Sequence, residues 1–258
     1  MIDIFWRMVY NKNMEPYRHI EKFKVRYCDV DFKDELKPST VLSYLEEAAC
    51  ASADELGFGY AYVKGRGLAF MVTNICIEFL RPVALSDAVS VHTWPLKPSY
   101  VTFGREYQLY AGETLAANAS SRWCLVDMSS GKLASSKLID NQDYSTYNTN
   151  RVFENVRWKI PTIDTNGEEA RFTIKIYNSE YDHNMHVNNT RYAEYCFNCF
   201  SIAELAEKKL RRFSISYVKQ CHEGDTLRFY RKEMEEGYLV QGVNEENEIV
   251  VQAEICFE

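Results

Sequence analysis

The chain has 258 residues, a length that suits two domains of ordinary size better than one small domain. Hydrophobic residues make up 46% and charged residues 26%, which predicts a packed core and excludes a disordered chain. The net charge of −7 argues against a nucleic-acid-binding protein. No stretch of the sequence has the length of uncharged apolar residues that a membrane span needs.

The N-terminus and the cysteines predict a cytoplasmic protein. Residues 1–10 are apolar but interrupted by charges, and they lack the basic start and cleavage site of a signal peptide. Met14 is a second candidate start, because regular strand pattern begins soon after it. The eight cysteines are scattered, so without an export signal we expect reduced thiols. Cys196 and Cys199 form a CxxC pair without a second pair, which favours structural thiols over a metal or redox site.

The first half combines one long helix with a run of strands. Alternating apolar and polar residues over 20–27 predict the first strand. Pro38 is followed by Ser39 and Thr40, either of which we expect to cap a helix whose apolar face continues until Gly57. Further strands are predicted over residues 68–80, 89–94, 101–110 and 116–127. A helix followed by antiparallel strands is an α+β plan.

The plan repeats after a polar linker. Residues 136–170 contain few apolar clusters, and parts of them should pack on the body, because they are long for an unstructured loop. Asn188 or Asn189 is predicted to cap a second helix that runs to about Lys209. Further strands are predicted over residues 171–177, 213–220, 226–233, 238–244 and 249–257. The predicted organisation is an N-terminal domain over 14–135, a linker over 136–170 and a C-terminal domain over 171–258.

The two halves can be aligned directly. A spacing of 149 positions superposes their first strands and sets Lys37 over His186 and Thr40 over Asn189. Strand, turn and helix start then coincide, which indicates one supersecondary plan used twice. The second turn carries Asp-His-Asn-Met-His, whereas the first carries Lys-Asp-Glu-Leu-Lys. This difference predicts that the second half carries the chemistry, as the working half, and that the first half supports the fold, as the supporting half.

The second turn contains groups suited to acyl-group hydrolysis. Asp182, Asn184 and His186 occupy alternate positions, so an extended segment would point them to the same side. A neutral imidazole takes a proton from water near pH 7, and a nearby carboxylate can orient it. Free N–H groups around Asn188 and Asn189, at the positive end of a helix, suit a developing oxyanion. Each of these residue types is also a common helix cap, so a purely structural role stays open for any one of them.

Other hydrolytic chemistries find less support in the sequence. The chain has no Gly-x-Ser-x-Gly elbow, which disfavours a serine hydrolase of that type. An extended segment would face His183 and His186 apart, so we predict no metal. No cofactor is predicted either.

The run Asp-His-Asn-Met-His-Val-Asn-Asn over residues 182–189, followed by Tyr192, resembles the signature of the plant and bacterial acyl-ACP thioesterases. Ala-Ser-Ser-Arg-Trp over 119–123 and Ser-Tyr-Val-Lys-Gln-Cys over 216–221 are also similar to that family. The resemblance implies two tandem hot-dog domains, each a long central helix wrapped by an antiparallel β-sheet. It further implies hydrolysis of fatty acyl-[acyl carrier protein], with an acyl-chain pocket in the N-terminal domain and catalysis in the C-terminal domain.

By matching positions, the resemblance implies that Asp182, Asn184 and His186 are catalytic. The family has a Glu immediately before a Cys where this chain has Gln220 before Cys221. Glutamine can hold a water by hydrogen bonds but cannot accept its proton. We therefore expect His186 to activate the water, with Asp182 behind it and Gln220 positioning the water. Cys221 is expected to be structural or to position the substrate, because hot-dog thioesterases generally use water.

A carrier protein is acidic, so an acidic enzyme needs a local basic patch to attract it. Arg191 and a cluster at the predicted end of the second helix are the candidates for this patch. The cluster consists of Lys208, Lys209, Arg211 and Arg212. Cations that complement the helix dipole would explain it equally well. An acyl-CoA thioesterase and a non-enzymatic acyl-binding protein, the latter suggested by Gln220, stay open, as does a homodimer.

Overall fold

The computed structural model describes residues 15–139 and 144–258. The expectations about residues 1–10 and about Met14 as a start lie outside these ranges. The first half contains β1 (His19–Lys24), α1 (Pro38–Glu55), α2 (Tyr60–Lys64), β2 (Leu68–Phe79), β3 (Ala88–Pro95), β4 (Thr102–Ala111), β5 (Thr114–Asp127) and β6 (Lys132–Ala134). The second half contains β7 (Phe172–Lys175), α3 (Asn189–Phe197), α4 (Ile202–Ala206), β8 (Leu210–Tyr217), β9 (Thr226–Met234), β10 (Gly237–Val243) and β11 (Ile249–Phe257).

All strands except β6 pair along one antiparallel sheet in the order β1-β3-β4-β5-β2-β8-β11-β10-β9-β7, and β6 pairs with β5. The order is the same in each half when counted outward from the central β2–β8 pair. Ile75 and Ile215 lie opposite each other in that pair, and both are buried. The helices α1 and α3 pack against each other. The predicted α+β class with a repeated plan is therefore confirmed.

The first helix begins earlier than predicted. Lys37 is its N-cap residue without a capping side-chain bond, and Pro38 occupies the first helical position. The prediction that Ser39 or Thr40 caps it is wrong, because proline favours the first turn, where its missing N–H costs nothing. Thr40 instead donates its hydroxyl to the carbonyl of Asp29 at 3.0 Å. The predicted end is confirmed, since Gly57 has φ +80°, a conformation that favours glycine.

The second helix is shorter than predicted. Asn188 caps it as expected, but α3 ends at Phe197, so one helix to Lys209 is wrong. Ser201 starts a new helix through a reciprocal capping box with Glu204, and this box defines a separate N-terminus. The chain then enters β8, so the basic cluster lies in a turn and a strand, not at a helix end.

The segment predicted as the linker packs on the body. Ile160 and Ile163 are buried against Leu239. The side chain of Gln241 accepts from the backbone N–H of Ile163 at 3.0 Å and donates to its carbonyl at 3.1 Å. These two bonds satisfy the backbone N–H and C=O of Ile163, which no strand pairs.

Candidate active site

The turn before α3 is a tight loop. Tyr181 and Val187 form an isolated bridge across its base. Inside it, the N–H of Asp182 donates to the carbonyl of His186 at 2.8 Å, and the N–H of Met185 donates to the carbonyl of Asp182 at 3.2 Å. Met185 has φ +61°, a left-handed conformation that reverses the chain. The expectation of an extended segment with alternating side chains is therefore wrong.

Asp182 holds this loop together. Its Oδ1 atom accepts from the N–H of Asn184 at 2.8 Å and from the N–H of His186 at 3.2 Å. A carboxylate used in this way fixes a turn. Among the described residues, no hydrogen bond joins it to the imidazole of His186. Asp182 therefore positions His186 through the backbone, and the expected contact between carboxylate and ring is absent.

The first half contains the same loop. Oδ1 of Asp31 accepts from the N–H of Lys33 at 2.8 Å and from the N–H of Glu35 at 3.2 Å. Asp34 has φ +59°, as Met185 has φ +61°. The matching bonds make Asp31 the counterpart of Asp182, which lies 151 positions later in the chain. The alignment of the two halves at a spacing of 149 positions is therefore wrong. A slip of two residues keeps the apolar faces of a strand in phase, and alternation alone cannot detect it.

The corrected alignment shows what distinguishes the two loops. The aspartate that holds the loop occurs in both halves and is therefore a structural feature of the plan. The chemical groups differ: Lys33 stands opposite Asn184, Glu35 opposite His186 and Pro38 opposite Asn189. The second half alone of the two combines an imidazole, an amide and a backbone N–H at this place.

The start of α3 offers a free backbone donor. Oδ1 of Asn188 accepts from the N–H of Thr190 at 2.9 Å and from its hydroxyl at 2.7 Å. The N–H of Asn189 finds no acceptor among the described residues, whereas its carbonyl accepts from the hydroxyl of Tyr217 at 3.2 Å. Pro38, the counterpart in the first half, has no N–H to offer. At the first helical position, an available donor at the positive end of the helix dipole therefore occurs in the second half and not in the first.

Gln220 and Cys221 follow β8 in a loop. This loop matches the one after β2 at a spacing of 138 positions: the N–H of Ala84 binds the carboxylate of Asp87 at 3.0 Å, and that of His222 binds Asp225 at 2.8 Å. The counterparts of Gln220 and Cys221 are therefore Pro82 and Val83.

A cavity at the loop of the first half shows which residues of the shared plan lie close together. It is lined by residues that include Asp31, Lys33, Glu35, Pro38, Pro82 and Val83. Their counterparts in the second half are Asp182, Asn184, His186, Asn189, Gln220 and Cys221. The shared plan therefore predicts that these six residues surround one place, although the geometry of the loop differs from the sequence-based expectation.

Cys221 is a fully buried thiol that hydrogen-bonds with Tyr192. Burial raises the pKa of Cys221 to about 11, so the thiol stays protonated at neutral pH. A nucleophilic cysteine needs the opposite shift.

We predict that Cys221→Ser keeps turnover within about threefold of wild type, because loss of a nucleophile would cost far more. Release of free thiol from an acyl donor measures this. A loss of two orders of magnitude with unchanged thermal unfolding would contradict the assignment.

Arg191 is committed to ion pairs inside the second half. It binds Glu180 at 2.9 Å and Glu194 at 2.7 Å, and the hydroxyl of Tyr195 also binds Glu180. The first half has an equivalent arrangement, in which Asp29 binds Arg26 at 2.9 Å and the hydroxyl of Tyr44 at 3.0 Å. Arg191 therefore supports the loop before α3 and is not free to attract a partner.

The basic cluster borders the loop of the first half. Nζ of Lys33 donates to the carbonyl of Lys208 at 3.1 Å. Lys209 pairs with Glu258 at 3.0 Å, and Arg212 lies 3.9 Å from Glu78. Arg211 is exposed and has no ion-pair partner among the described residues. His183 of the candidate loop instead packs edge-on against Tyr60, with ring centroids 5.1 Å apart.

The described residues contain neither a cluster suited to a metal ion nor a membrane-spanning helix. Across residues 15–139 and 144–258, no group of three or more His, Cys, Asp or Glu side chains is arranged to hold a metal ion. No helix in the same ranges is long and apolar enough to cross a membrane. Cys196 and Cys199 are free and buried, and burial raises the pKa of both thiols.

Two helices packed together on one antiparallel sheet, with a polar loop at a helix N-terminus, define a double hot-dog protein. Models of the acyl-ACP thioesterase N-terminal domain and C-terminal domain match residues 16–137 and 163–258. The chain belongs to the acyl-ACP thioesterase family.

Similar proteins cover most of this chain. Oleoyl-acyl carrier protein thioesterase 1, chloroplastic, from Arabidopsis thaliana is 21% identical over 226 residues, which are 80% of this chain and 61% of that protein. The chain therefore spans less than two thirds of that relative. An acyl-ACP thioesterase from Bacteroides thetaiotaomicron superposes with a TM-score of 0.83 at 23% identity, covering 93% of this chain and 98% of the other. The 12:0-ACP thioesterase from Umbellularia californica also gives 0.83, at 16% identity, covering 95% and 99%. At these identities the likeness shows the hot-dog fold.

Proposed function

We propose that this protein hydrolyses the thioester of fatty acyl-[acyl carrier protein] and releases a free fatty acid. The observation that carries the proposal is the difference between two otherwise equal loops. The second presents Asn184, His186 and the free N–H of Asn189, where the first presents a lysine, a glutamate and a proline. Membership of the acyl-ACP thioesterase family supports the same activity.

The proposed chemistry uses these groups without a cofactor. The thioester carbonyl accepts hydrogen bonds from the Asn189 N–H and from the Asn184 amide, and the positive end of α3 stabilises the oxyanion. The imidazole of His186 forms a hydrogen bond with the substrate or the attacking water. Gln220 holds the attacking water, and Asp182 keeps the loop in shape. The water oxygen bonds to the carbonyl carbon, and the C–S bond breaks to release the thiol.

The direct test is release of free thiol and free fatty acid from a panel of acyl-ACPs and the matching acyl-CoAs. Release from acyl-ACP supports the proposal and reports the preferred chain length. Release from acyl-CoA alone would assign the other donor. Absence of release from every donor, in a protein that still retains acyl ligand, would make it an acyl-binding protein.

We also propose the cytoplasm as its compartment and fatty acid biosynthesis as its setting. All eight cysteines are free, which agrees with a reducing compartment.

Docking of the carrier protein on the basic cluster gives a separate prediction. Arg211→Glu should raise the KM for acyl-ACP by about threefold to tenfold at low salt, and the increase should shrink at high salt, because an acidic partner is steered by charge. Lys64→Glu is the matched variant: Lys64 is exposed and binds the Tyr60 hydroxyl at 2.9 Å, beside the candidate loop. An increase of KM in the Lys64 variant alone would place docking at the candidate loop instead.

A further inference from the structure

Glu46 is an acidic side chain on the central helix of the first half. Its neighbours Leu42, Leu45 and Ala49 are buried, and α1 packs against α3. The residue is partly exposed. Burial around its carboxyl group, with the nearby charge of Asp182 in the second half, raises the pKa of Glu46 to about 7. Among the described residues, nothing forms a hydrogen bond or an ion pair with this carboxylate.

The repeat of the fold places Glu46 at the candidate site independently of its titration. At the spacing of 151 positions its counterpart is Phe197 on α3. The same spacing relates Tyr44 to Tyr195, so it holds along both helices. Phe197 lines the first-half cavity together with Asp31 and Glu35. By the same geometry Glu46 lies beside the second-half loop, so the working half has a carboxylate where the supporting half has a phenyl ring.

A structural role does not account for this carboxylate. Burying a carboxylate costs free energy unless a cation or several donors compensate it. Four groups interact electrostatically with Glu46: Glu47 and Cys50 on its own helix, Asp182 in the loop and Tyr217 on β8. All four are acids, and none supplies a positive charge. Unpaired and desolvated carboxyl groups of this kind are typical of active sites.

We propose that Glu46 is the general base of the reaction and takes the proton from the attacking water. The inference rests on the proposed thioester hydrolysis. Glu46 supplies a carboxylate that can accept the proton of the water, which the amide of Gln220 cannot do. The carboxylate of Asp182 is used instead to hold the loop, since it accepts from two backbone N–H groups.

The step balances without a further reactant. The water oxygen bonds to the carbonyl carbon while one water proton moves to the Glu46 carboxylate. The tetrahedral intermediate then collapses, the C–S bond breaks, and the departing thiolate takes that proton. The carboxylate is restored, and the products are a fatty acid and a thiol. His186 then acts as a hydrogen-bonding group towards substrate or water.

The test compares Glu46→Gln with Glu47→Gln in the full-length protein, on the acyl donor that the wild type hydrolyses best. The two variants remove the same charge from adjacent positions of α1, and Glu47 is exposed. We expect Glu46→Gln to lower kcat by about 100-fold or more and Glu47→Gln to leave it near the wild-type value. The wild type should also lose kcat/KM as pH falls through about 7, and this loss should be absent from the residual activity of Glu46→Gln.

Thermal unfolding separates catalysis from a folding defect. The folded-state pKa of Glu46 lies above its ordinary value of 4.5, so its ionisation in the folded protein costs stability as pH rises through about 7. Glu46→Gln removes this cost. Its Tm should exceed that of the wild type above pH 7, and the difference should vanish below about pH 4.5. A variant that is more stable yet less active points to the reaction, because loss of a structural contact would lower Tm.

Each outcome decides one point. A wild type that hydrolyses no donor would overturn the proposed function and this inference with it. An active wild type with an equally active Glu46→Gln variant, or a pH profile unchanged by the substitution, would overturn the role of Glu46 alone. A large loss of kcat in both Glu46→Gln and Glu47→Gln would show that the negative charge of the helix matters. It would also overturn a specific role of Glu46 as the base.

Discussion

Replacing Asn189 by proline should lower kcat by about 100-fold to 1000-fold, the usual cost of removing one oxyanion donor. The substitution deletes the N–H of the first residue of α3, which has no acceptor among the described residues. The proposed function needs that N–H for the charge that develops on the thioester oxygen. The KM should change less than kcat, because the bond strengthens mainly in the transition state.

The fold should tolerate this proline. Asn188 has φ −58° and ψ 130°, close to φ −61° and ψ 143° at Lys37, which precedes Pro38 at the start of α1. That backbone conformation is the one that residues before proline prefer. Proline is also favoured at the first helical position. The first half already has a proline, Pro38, at the position that corresponds to Asn189. The Tm of Asn189→Pro should therefore stay near the wild-type value.

Asn189→Ala is the matched control, because it removes the side chain and keeps the N–H. We expect it to retain most of the wild-type kcat. If Asn189→Pro hydrolyses acyl donors at the wild-type rate, the oxyanion is stabilised elsewhere. An equal loss in both variants would assign the role to the amide side chain, and circular dichroism with thermal unfolding would exclude a folding defect.

Replacing His186 by alanine should lower kcat/KM by about 100-fold to 10,000-fold, the range expected for a side chain that transfers or holds protons. The loop itself should survive, since Asp182 binds the backbone N–H of His186 and not its ring. The variant should therefore unfold at nearly the wild-type temperature. Steady-state release of thiol from the best acyl donor measures the loss.

His183→Ala provides the comparison for His186. His183 lies in the same loop, is exposed, and contacts the ring of Tyr60. Its removal should change kcat by less than about threefold, because nothing in the proposed chemistry uses it. If both variants keep wild-type activity, the imidazoles of this loop are not part of the reaction. If His183→Ala loses more activity than His186→Ala, the site extends towards α2.

The sequence by itself determined most of the local structure. Strand alternation and the apolar face of α1 predicted the elements of the first half, because these periods follow from backbone geometry. The sequence predicts Asn188 or Asn189 as a cap, because either side chain can supply the acceptor that the first turn lacks, and Asn188 is the one that does so. Two short elements, α2 and β6, are not predicted, since five and three residues carry too little periodic signal.

Local motifs also misled where two signals competed. The sequence after Phe197 predicts that the second helix continues to about Lys209, but the capping box of Ser201 and Glu204 starts a new helix. Asp182 was expected to orient the imidazole of His186. Its oxygen binds two backbone N–H groups instead, because a left-handed residue inside the loop brings them to it.

The sequence determined the repeated plan and the polar groups that the second loop carries. Only the tertiary structure decided the register of the repeat, because a slip of two residues leaves strand alternation unchanged and the bonds of Asp31 and Asp182 resolve it. The structure also decided that Pro38 and Asn189 are counterparts and that Glu46 lies beside Asp182. These relations join residues far apart in the chain, and they arise from the packing of α1 against α3, which no local pattern encodes.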